Sequence, residues 1–200
     1  MAKWQLEQEL MNNGFTLVGG CDEVGRGPLA GPVVAAVTVF KDCRLEGLRD
    51  SKRLADKRRR QLSREICAQA VAVGIGVVQN ETIDRVNILE ATRLAMLSAW
   101  RHLHTKAGYL LIDAVDLPSL EGVVPCRSLV RGDQHCASIA AASIIAKVYR
   151  DKLMQHYHRL YPMYGFAANK GYPTAEHRAA LQEHGPSPIH RRSFNGVETK

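Results

Sequence analysis

The chain has 200 residues, 46% of them hydrophobic and 24% charged, which suits one globular domain with a core of its own. Its formal charge of +7 and pI near 9.3 favour a polyanionic partner, most simply nucleic acid. The longest apolar runs, such as residues 33–40, are too short to cross a bilayer. The N-terminus carries acids where a secretion signal needs an apolar run, and the five cysteines (21, 43, 67, 126 and 136) have no C-x-x-C spacing. These features argue against a membrane protein, a disulfide framework or a zinc ribbon, and lead to the expectation of a monomer in a reducing cytoplasm.

In chain order, residues 1–16 form an N-terminal arm with no assigned role. Residues 17–23 and 33–40 predict paired strands of a central sheet. Residues 55–71 predict a helix, with Leu62, Ile66 and Ala70 at four-residue spacing, and residues 72–79 another strand. The clearest amphipathic helix is predicted over 86–105, where Ile88, Ala91, Thr92, Ala95, Met96, Ala99 and Leu103 share one stripe. Tyr109-Leu110-Leu111-Ile112 reads as a short buried strand ending at Asp113, and residues 123–130 carry mixed strand signals before Arg131-Gly132-Asp133. Residues 137–158 read as helical. Pro162, Gly165, Gly171 and Pro173 then break the chain, and Thr174 reads as the N-cap of a last helix to about residue 183. The pattern predicts an α/β domain with a mixed sheet and a helical C-terminal portion, about residues 155–200, folded over one edge. Lys52-Arg53, Lys57-Arg58-Arg59-Arg60 and His190-Arg191-Arg192 concentrate the positive charge, the second run being expected as a solvated helix face.

Asp22-Glu23-Val24-Gly25-Arg26-Gly27-Pro28 is the densest chemical signal. Adjacent carboxylates about 4 Å apart repel by roughly 1–4 kcal/mol, depending on the effective dielectric. Placing them at a buried strand end therefore invites a hard cation such as Mg²⁺ or Mn²⁺. Gly25 and Gly27 leave room for a ligand to approach the main-chain N–H groups around Arg26. Asp113 and Asp133 also follow apolar strands, and four converging carboxylates suit two divalent ions that activate water and stabilise a leaving oxygen. Each acid alone has a structural alternative: Asp113 as a turn cap, Asp133 as the N-cap of the helix near Cys136. Consecutive strand residues point to opposite faces, so Asp22 is expected as the central bridging ligand and Glu23 as reaching in at an angle.

The chain resembles the bacterial ribonuclease HII family, the type 2 ribonucleases H. The resemblance rests on Asp22-Glu23-Val24-Gly25-Arg26-Gly27-Pro28, Asp50-Ser51-Lys52, Asn87-Ile88-Leu89, Leu111-Ile112-Asp113, Gly132-Asp133, Ala141-Ala142-Ser143-Ile144-Ile145-Ala146-Lys147-Val148, Tyr164-Gly165-Phe166, Lys170-Gly171-Tyr172-Pro173-Thr174 and His190-Arg191-Arg192-Ser193-Phe194. These segments stand in the family's order over about residues 17–197. The resemblance implies a ribonuclease H-like mixed sheet flanked by helices, with Asp22, Glu23, Asp113 and Asp133 as catalytic and metal-binding carboxylates. It implies that Gly25, Arg26 and Gly27 read the 2′-hydroxyl of a ribonucleotide, the group that distinguishes RNA from DNA. Tyr172 would pack on the next sugar, and Ser51, Lys52, Ser143 and Lys147 would lie near the substrate backbone, where contacts give affinity without sequence preference.

The implied reaction is metal-dependent endonucleolytic hydrolysis 5′ to a ribonucleotide, leaving a 3′-hydroxyl and a 5′-phosphate. Its substrates would be RNA–DNA hybrids and duplex DNA carrying misincorporated ribonucleotides. Ala114 stands where the family usually has glycine, Arg131 where lysine is frequent, and Leu54-Ala55 where leucine–serine is frequent, a change that weakens a helix cap. Asp116 is expected as a loop acid and Asp151 as a helix-surface or supporting acid. Three rivals compete with this reading. Ribonuclease HIII usually carries lysine at the Arg26 position and an added N-terminal binding domain, for which the arm leaves no room. A non-catalytic nucleic-acid binder needs no converging acids. A zinc enzyme would use His102/His104 and His156/His158, whose i, i+2 spacing on a helix points the rings apart.

Overall fold

The computed structural model describes residues 4–42, 45, 47–48 and 55–197; Asp50, Ser51 and Lys52 lie outside the described residues. A five-stranded sheet organises the chain, in the order β3-β2-β1-β4-β5. Its strands are β1 (Val18–Val24), β2 (Val33–Phe40), β3 (Ala72–Val78), β4 (Tyr109–Asp113) and β5 (Cys126–Leu129). The pairs β1/β2 and β2/β3 are antiparallel, whereas β1/β4 and β4/β5 are parallel. Every residue of β2 is buried. A strand covered on both faces needs no polar side, which is why residues 33–40 are apolar apart from Thr38.

Helices cover both faces. Helix α1 (Gln5–Asn12) precedes the sheet, and α2 (Asp56–Gln69), α3 (Asn80–Val86) and α4 (Ile88–Arg101) follow in order. After β5 come the short turn α5 (Gly132–His135), the long α6 (Ala137–Leu160), α7 (Phe166–Asn169) and α8 (Ala175–His184). On one face Cys21, Val33, Ala35, Leu110 and Ile112 meet Ala91, Ala95, Met96 and Ala99 of α4. On the other, Val34, Ala36 and Phe40 meet Leu62 and Ile66 of α2 and the alanine-rich face of α6. A third cluster joins Leu29 and Ala30 to Met154, Tyr164, Phe166, Leu181 and Ile189. Thr174 caps α8 as its sequence suggests, accepting a hydrogen bond from His177 N at 3.2 Å. Ala55 provides no side-chain cap to α2. Among the described residues no helix is long and apolar enough to cross a membrane.

Two local expectations change. The helix predicted over 86–105 is α4, with shifted ends: it starts at Ile88 and closes at Arg101, and the separate short helix α3 precedes it across Asn87, which has φ +72° and whose side chain accepts from Leu89 N at 2.9 Å and Glu90 N at 3.1 Å. Asparagine tolerates a left-handed backbone and caps a helix well, so α4 begins at Ile88, the first residue of the apolar stripe. The basic run of α2 is not wholly a solvated face: Arg59 is buried, 3.9 Å from both Asp56 and Asp151.

Close approach of α6 to β1 sets the depth of the site. A Cβ on Gly20 would stand 2.1 Å from Ser138 C and 2.3 Å from Ile139 N. The start of α6 is held there from two sides. Ser138 N and Oγ donate to the buried Glu7 Oε1 at 2.9 and 2.7 Å, and Thr38 Oγ donates to Ser138 O at 2.9 Å. The arm with no assigned role thus contributes the capping carboxylate of the longest helix. Gly20→Ala is expected to cost about 2–3 kcal/mol through overpacking, read as a thermal midpoint lowered by roughly 2–4 °C per kcal/mol. Ala114, by contrast, holds φ +49°. Relief of the left-handed strain in Ala114→Gly, less the added chain entropy, is expected to stabilise by about 0.5–1 kcal/mol in the same thermal measurement.

Candidate active site

The acids gather because neighbouring strands end together. Asp22 and Glu23 lie in the last turn of the β1 pleat, and Asp113 ends β4, the parallel neighbour of β1. Asp22 is buried on the α6 side, where the Ser143 side chain donates to it, and its Oδ1 also accepts Glu23 N at 2.7 Å. Asp113 Oδ1 accepts Gly132 N at 2.7 Å, which ties the end of β4 to the turn that carries Asp133. Asp133 is buried within α5 and is not the N-cap of α6; that position is Cys136. A Cβ on Gly132 would meet the side-chain end of Ile139 on α6, Cδ1, at 2.5 Å, so α5 rests on α6 through that side chain.

The electrostatics are those of a site short of positive charge. Burial, with the charges of Glu23 and Asp113 added, pushes the Asp22 carboxyl well above the usual carboxylate range, against the pull of its two hydrogen bonds. Burial also raises Glu23, opposed by the Arg26 guanidinium 3.3 Å away and assisted by Asp113. Glu23 Oε2 is a buried oxygen with no hydrogen-bond partner. An orphaned carboxylate oxygen beside mutually repelling acids fits a hard divalent cation. Among the described residues no three His, Cys, Asp or Glu side chains are gathered tightly enough to cage an ion with protein atoms alone. Magnesium-type sites are commonly built this way, with few carboxylates and the remaining positions left to water and substrate phosphate.

Beside the acids, Gly25 (φ +97°) begins a turn through Arg26 and Gly27. The Tyr172 ring, 41% exposed, reaches to 3.7 Å from where a Gly27 Cβ would stand. Residues 145 positions apart are thereby brought side by side. Lys147 lies one turn beyond Ser143 on α6 but is engaged by Asp151 at 2.7 Å. Asp151 is therefore a supporting acid, and the main-chain carbonyl of Asp116 accepts from Arg93 at 3.1 Å.

The sequence model of the family described as Ribonuclease HII matches residues 19–197. The chain belongs to the ribonuclease HII family. It is 51% identical over 193 residues to the ribonuclease HII of Desulfitobacterium hafniense (strain DSM 10664 / DCB-2), covering 96% of this chain and 74% of the relative. It is 52% identical over 195 residues to that of Enterococcus faecalis (strain ATCC 700802 / V583), covering 97% and 75%. Among solved structures, the ribonuclease H2 of Pyrococcus horikoshii OT3 superposes with a TM-score of 0.79 at 27% identity, over 90% of this chain and 95% of that one. Ribonuclease H activity follows from this membership.

Around the ribonuclease HII turn lie residues that sequence reasoning missed. Arg150 and Arg191 are fully buried and spend their donors on main-chain carbonyls. Arg150 reaches Pro32 O, Lys170 O and Ala30 O, and Arg191 reaches Gly31 O, Arg26 O and Gly25 O. The basic segment at 190–192 is thus partly structural, with Arg191 turned inward. Below Tyr172, His177 Nδ1 stands 2.9 Å from Tyr172 O and its Nε2 stands 3.0 Å from His190 Nε2; His190 Nδ1 accepts Ser187 N at 2.9 Å. The pattern assigns one proton to His177 Nδ1 and one to His190 Nε2, a neutral pair. Burial accordingly pushes His177 down and His190 down to about 4. The bonds of Arg150 and Arg191 to residues 25–32 span 118 to 166 positions, so only the fold joins them.

The raised carboxyls give a signed expectation. Ionised Asp22 is disfavoured in the folded state, so its contribution to stability is greatest below the ordinary aspartate range and is lost as pH rises through its elevated folded value. Asp22→Asn, which does not titrate, is expected to have a higher thermal midpoint than the parent at neutral pH in EDTA. The gap should close below about pH 4, where aspartate is protonated in both folded and unfolded chains, as read by thermal circular dichroism across the pH range.

Proposed function

We propose that this chain hydrolyses the phosphodiester 5′ to a ribonucleotide in RNA–DNA hybrids and at single ribonucleotides embedded in duplex DNA, leaving a 3′-hydroxyl and a 5′-phosphate. The observation that carries this reading is the juxtaposition of buried Asp22 and half-buried Glu23 and Asp113, mutually repelling, with the Gly25–Gly27 turn and the exposed Tyr172 ring. Chemistry on a phosphate and recognition of a sugar would then occur one nucleotide apart.

Asp22, Glu23, Asp113 and Asp133 would hold Mg²⁺ or Mn²⁺. Such ions supply positive charge beside the scissile phosphate and lower the pKa of a bound water. The protein's own groups do the rest. Ser143 and Glu23 N–H orient Asp22, and Gly132 N–H orients Asp113. Arg26 holds Glu23 from the solvent side. Main-chain groups at residues 25–27 would engage the 2′-hydroxyl, which both donates and accepts. The Tyr172 ring would pack on the following sugar, where a second 2′-hydroxyl would crowd it, a preference for RNA–DNA junctions. A net positive chain supplies the general attraction to a duplex backbone. The removal of misincorporated ribonucleotides is the role that suits this reaction.

The test is a duplex DNA with one ribonucleotide, incubated with Mg²⁺, Mn²⁺ or EDTA and mapped at nucleotide resolution. A single cut 5′ to the ribonucleotide is expected with either ion and none in EDTA; an intact strand under all three conditions would mark a binder rather than a nuclease. Asp113→Asn and Asp133→Asn are each expected to slow cutting at least about 100-fold, the scale for removing a group that serves transition-state charge, with far-UV circular dichroism unchanged.

A further inference from the structure

Arg191 stands at the centre of the C-terminal segment and is held on every side. Its own N–H donates to Leu29 O at 2.8 Å, and Gly31 N donates to Ile189 O at 2.9 Å. Helix α3 grips the flanks: Asn80 Nδ2 donates to Pro188 O at 2.9 Å and His190 O at 3.2 Å, while Asp84 accepts Arg192 N and Ser193 N, both at 3.0 Å, and Ser193 Oγ at 2.6 Å. The guanidinium also lies over the Phe194 ring, 5.0 Å from its centroid.

From this fixed base the fork grips one turn. Nη2 donates to Gly25 O at 2.5 Å, Nη1 to Arg26 O at 2.9 Å and Nε to Gly31 O at 3.0 Å. The peptide bonds here are trans, as no cis bond occurs among the described residues. In a planar trans peptide the N–H points away from the C=O. Drawing Gly25 O and Arg26 O onto one guanidinium therefore turns the N–H groups of Arg26 and Gly27 outward together. Successive N–H groups aimed to one side form a small concavity for oxygen ligands. Gly25 is required for the same reason, since a Cβ there would meet Arg150 Nε at 2.3 Å. Burying a guanidinium charge costs several kcal/mol unless it is well bonded; Arg191 is bonded to the turn itself and to Gly31, and Arg150 to Ala30 and Pro32 farther along the same connection and to Lys170.

We propose that Arg191 is a positioning residue for sugar discrimination: by holding the carbonyls of Gly25 and Arg26 inward, it aims the N–H groups of Arg26 and Gly27 at the ribose. This rests on the reading that residues 25–27 meet the ribonucleotide. Lysine keeps the charge but lacks the fork, so Arg191→Lys isolates the geometry.

The experiment measures binding in EDTA, where nothing is cut, to a duplex with one ribonucleotide and to the same duplex entirely of DNA. R191K is expected to lose at least tenfold of the ribonucleotide preference while binding the all-DNA duplex within twofold of the parent. A parent that cuts, paired with an R191K that keeps its preference within twofold, would overturn the role of Arg191 alone; a parent that never cuts would instead sink the functional reading. If R191K does not fold, ¹⁵N–¹H spectra of the parent decide: the Arg26 and Gly27 amide protons should shift with the ribonucleotide duplex and not with all-DNA duplex, and an equal response to both would overturn the proposal.

Discussion

Repulsion between a buried carboxylate, Asp22, and the half-buried acids beside it is the constraint around which this protein is arranged. Asp22, Glu23 and Asp113 occupy adjacent strand ends, and Asp22, bonded by Ser143 of α6, is removed from water while the other two are half-buried. Left alone, such a group would protonate or turn outward. It stays in place because its surroundings are over-determined. Gly20 brings α6 onto β1 at main-chain distance, Glu7 and Thr38 hold Ser138, and Gly132 links Asp113 to the α5 turn. The stability forgone at the acids is supplied by packing on both faces of the sheet, where most of the apolar core lies.

The same logic governs the turn next to them. A glycine-flanked arginine loop is flexible in isolation. Here Arg191 binds the carbonyls of Gly25 and Arg26, Arg150 binds those of Ala30 and Pro32 farther along, and the C-terminal segment that supplies Arg191 is itself fastened by Asn80 and Asp84 of α3. Burial pushes Arg150 down to about 10 and Arg191 down to about 9, with attraction to Asp151 and Asp84 offsetting part of the cost. Both therefore remain charged at neutral pH. Rigid positioning of a recognition loop by distant residues is how a fold makes a small difference, one hydroxyl, count.

Legibility in the sequence followed the range of the forces. The strand over residues 33–40 was plain because β2 is buried on both faces, and Thr174 announced its helix because a cap acts within three residues. The stripe from Ile88 onward located α4, whereas α3, only seven residues long, is too short to show a repeating stripe of its own. Arg59 and Arg191 looked like surface charge because type and neighbours alone do not reveal which arginine faces inward. Glu7 sat in an arm with no motif, and its partner is 131 residues away.

The chain's residues by themselves determined the alternation of strands and helices, the candidate acids and the family to which they belong, because periodicity, strand-end chemistry and ordered motifs are written in local sequence. Tertiary structure alone decided that Tyr172 stands beside Gly27, that Ser143 meets Asp22 and that Arg191 holds the turn at Gly25 and Arg26. Those contacts depend on strand order and helix docking, which are settled by packing the whole core at once.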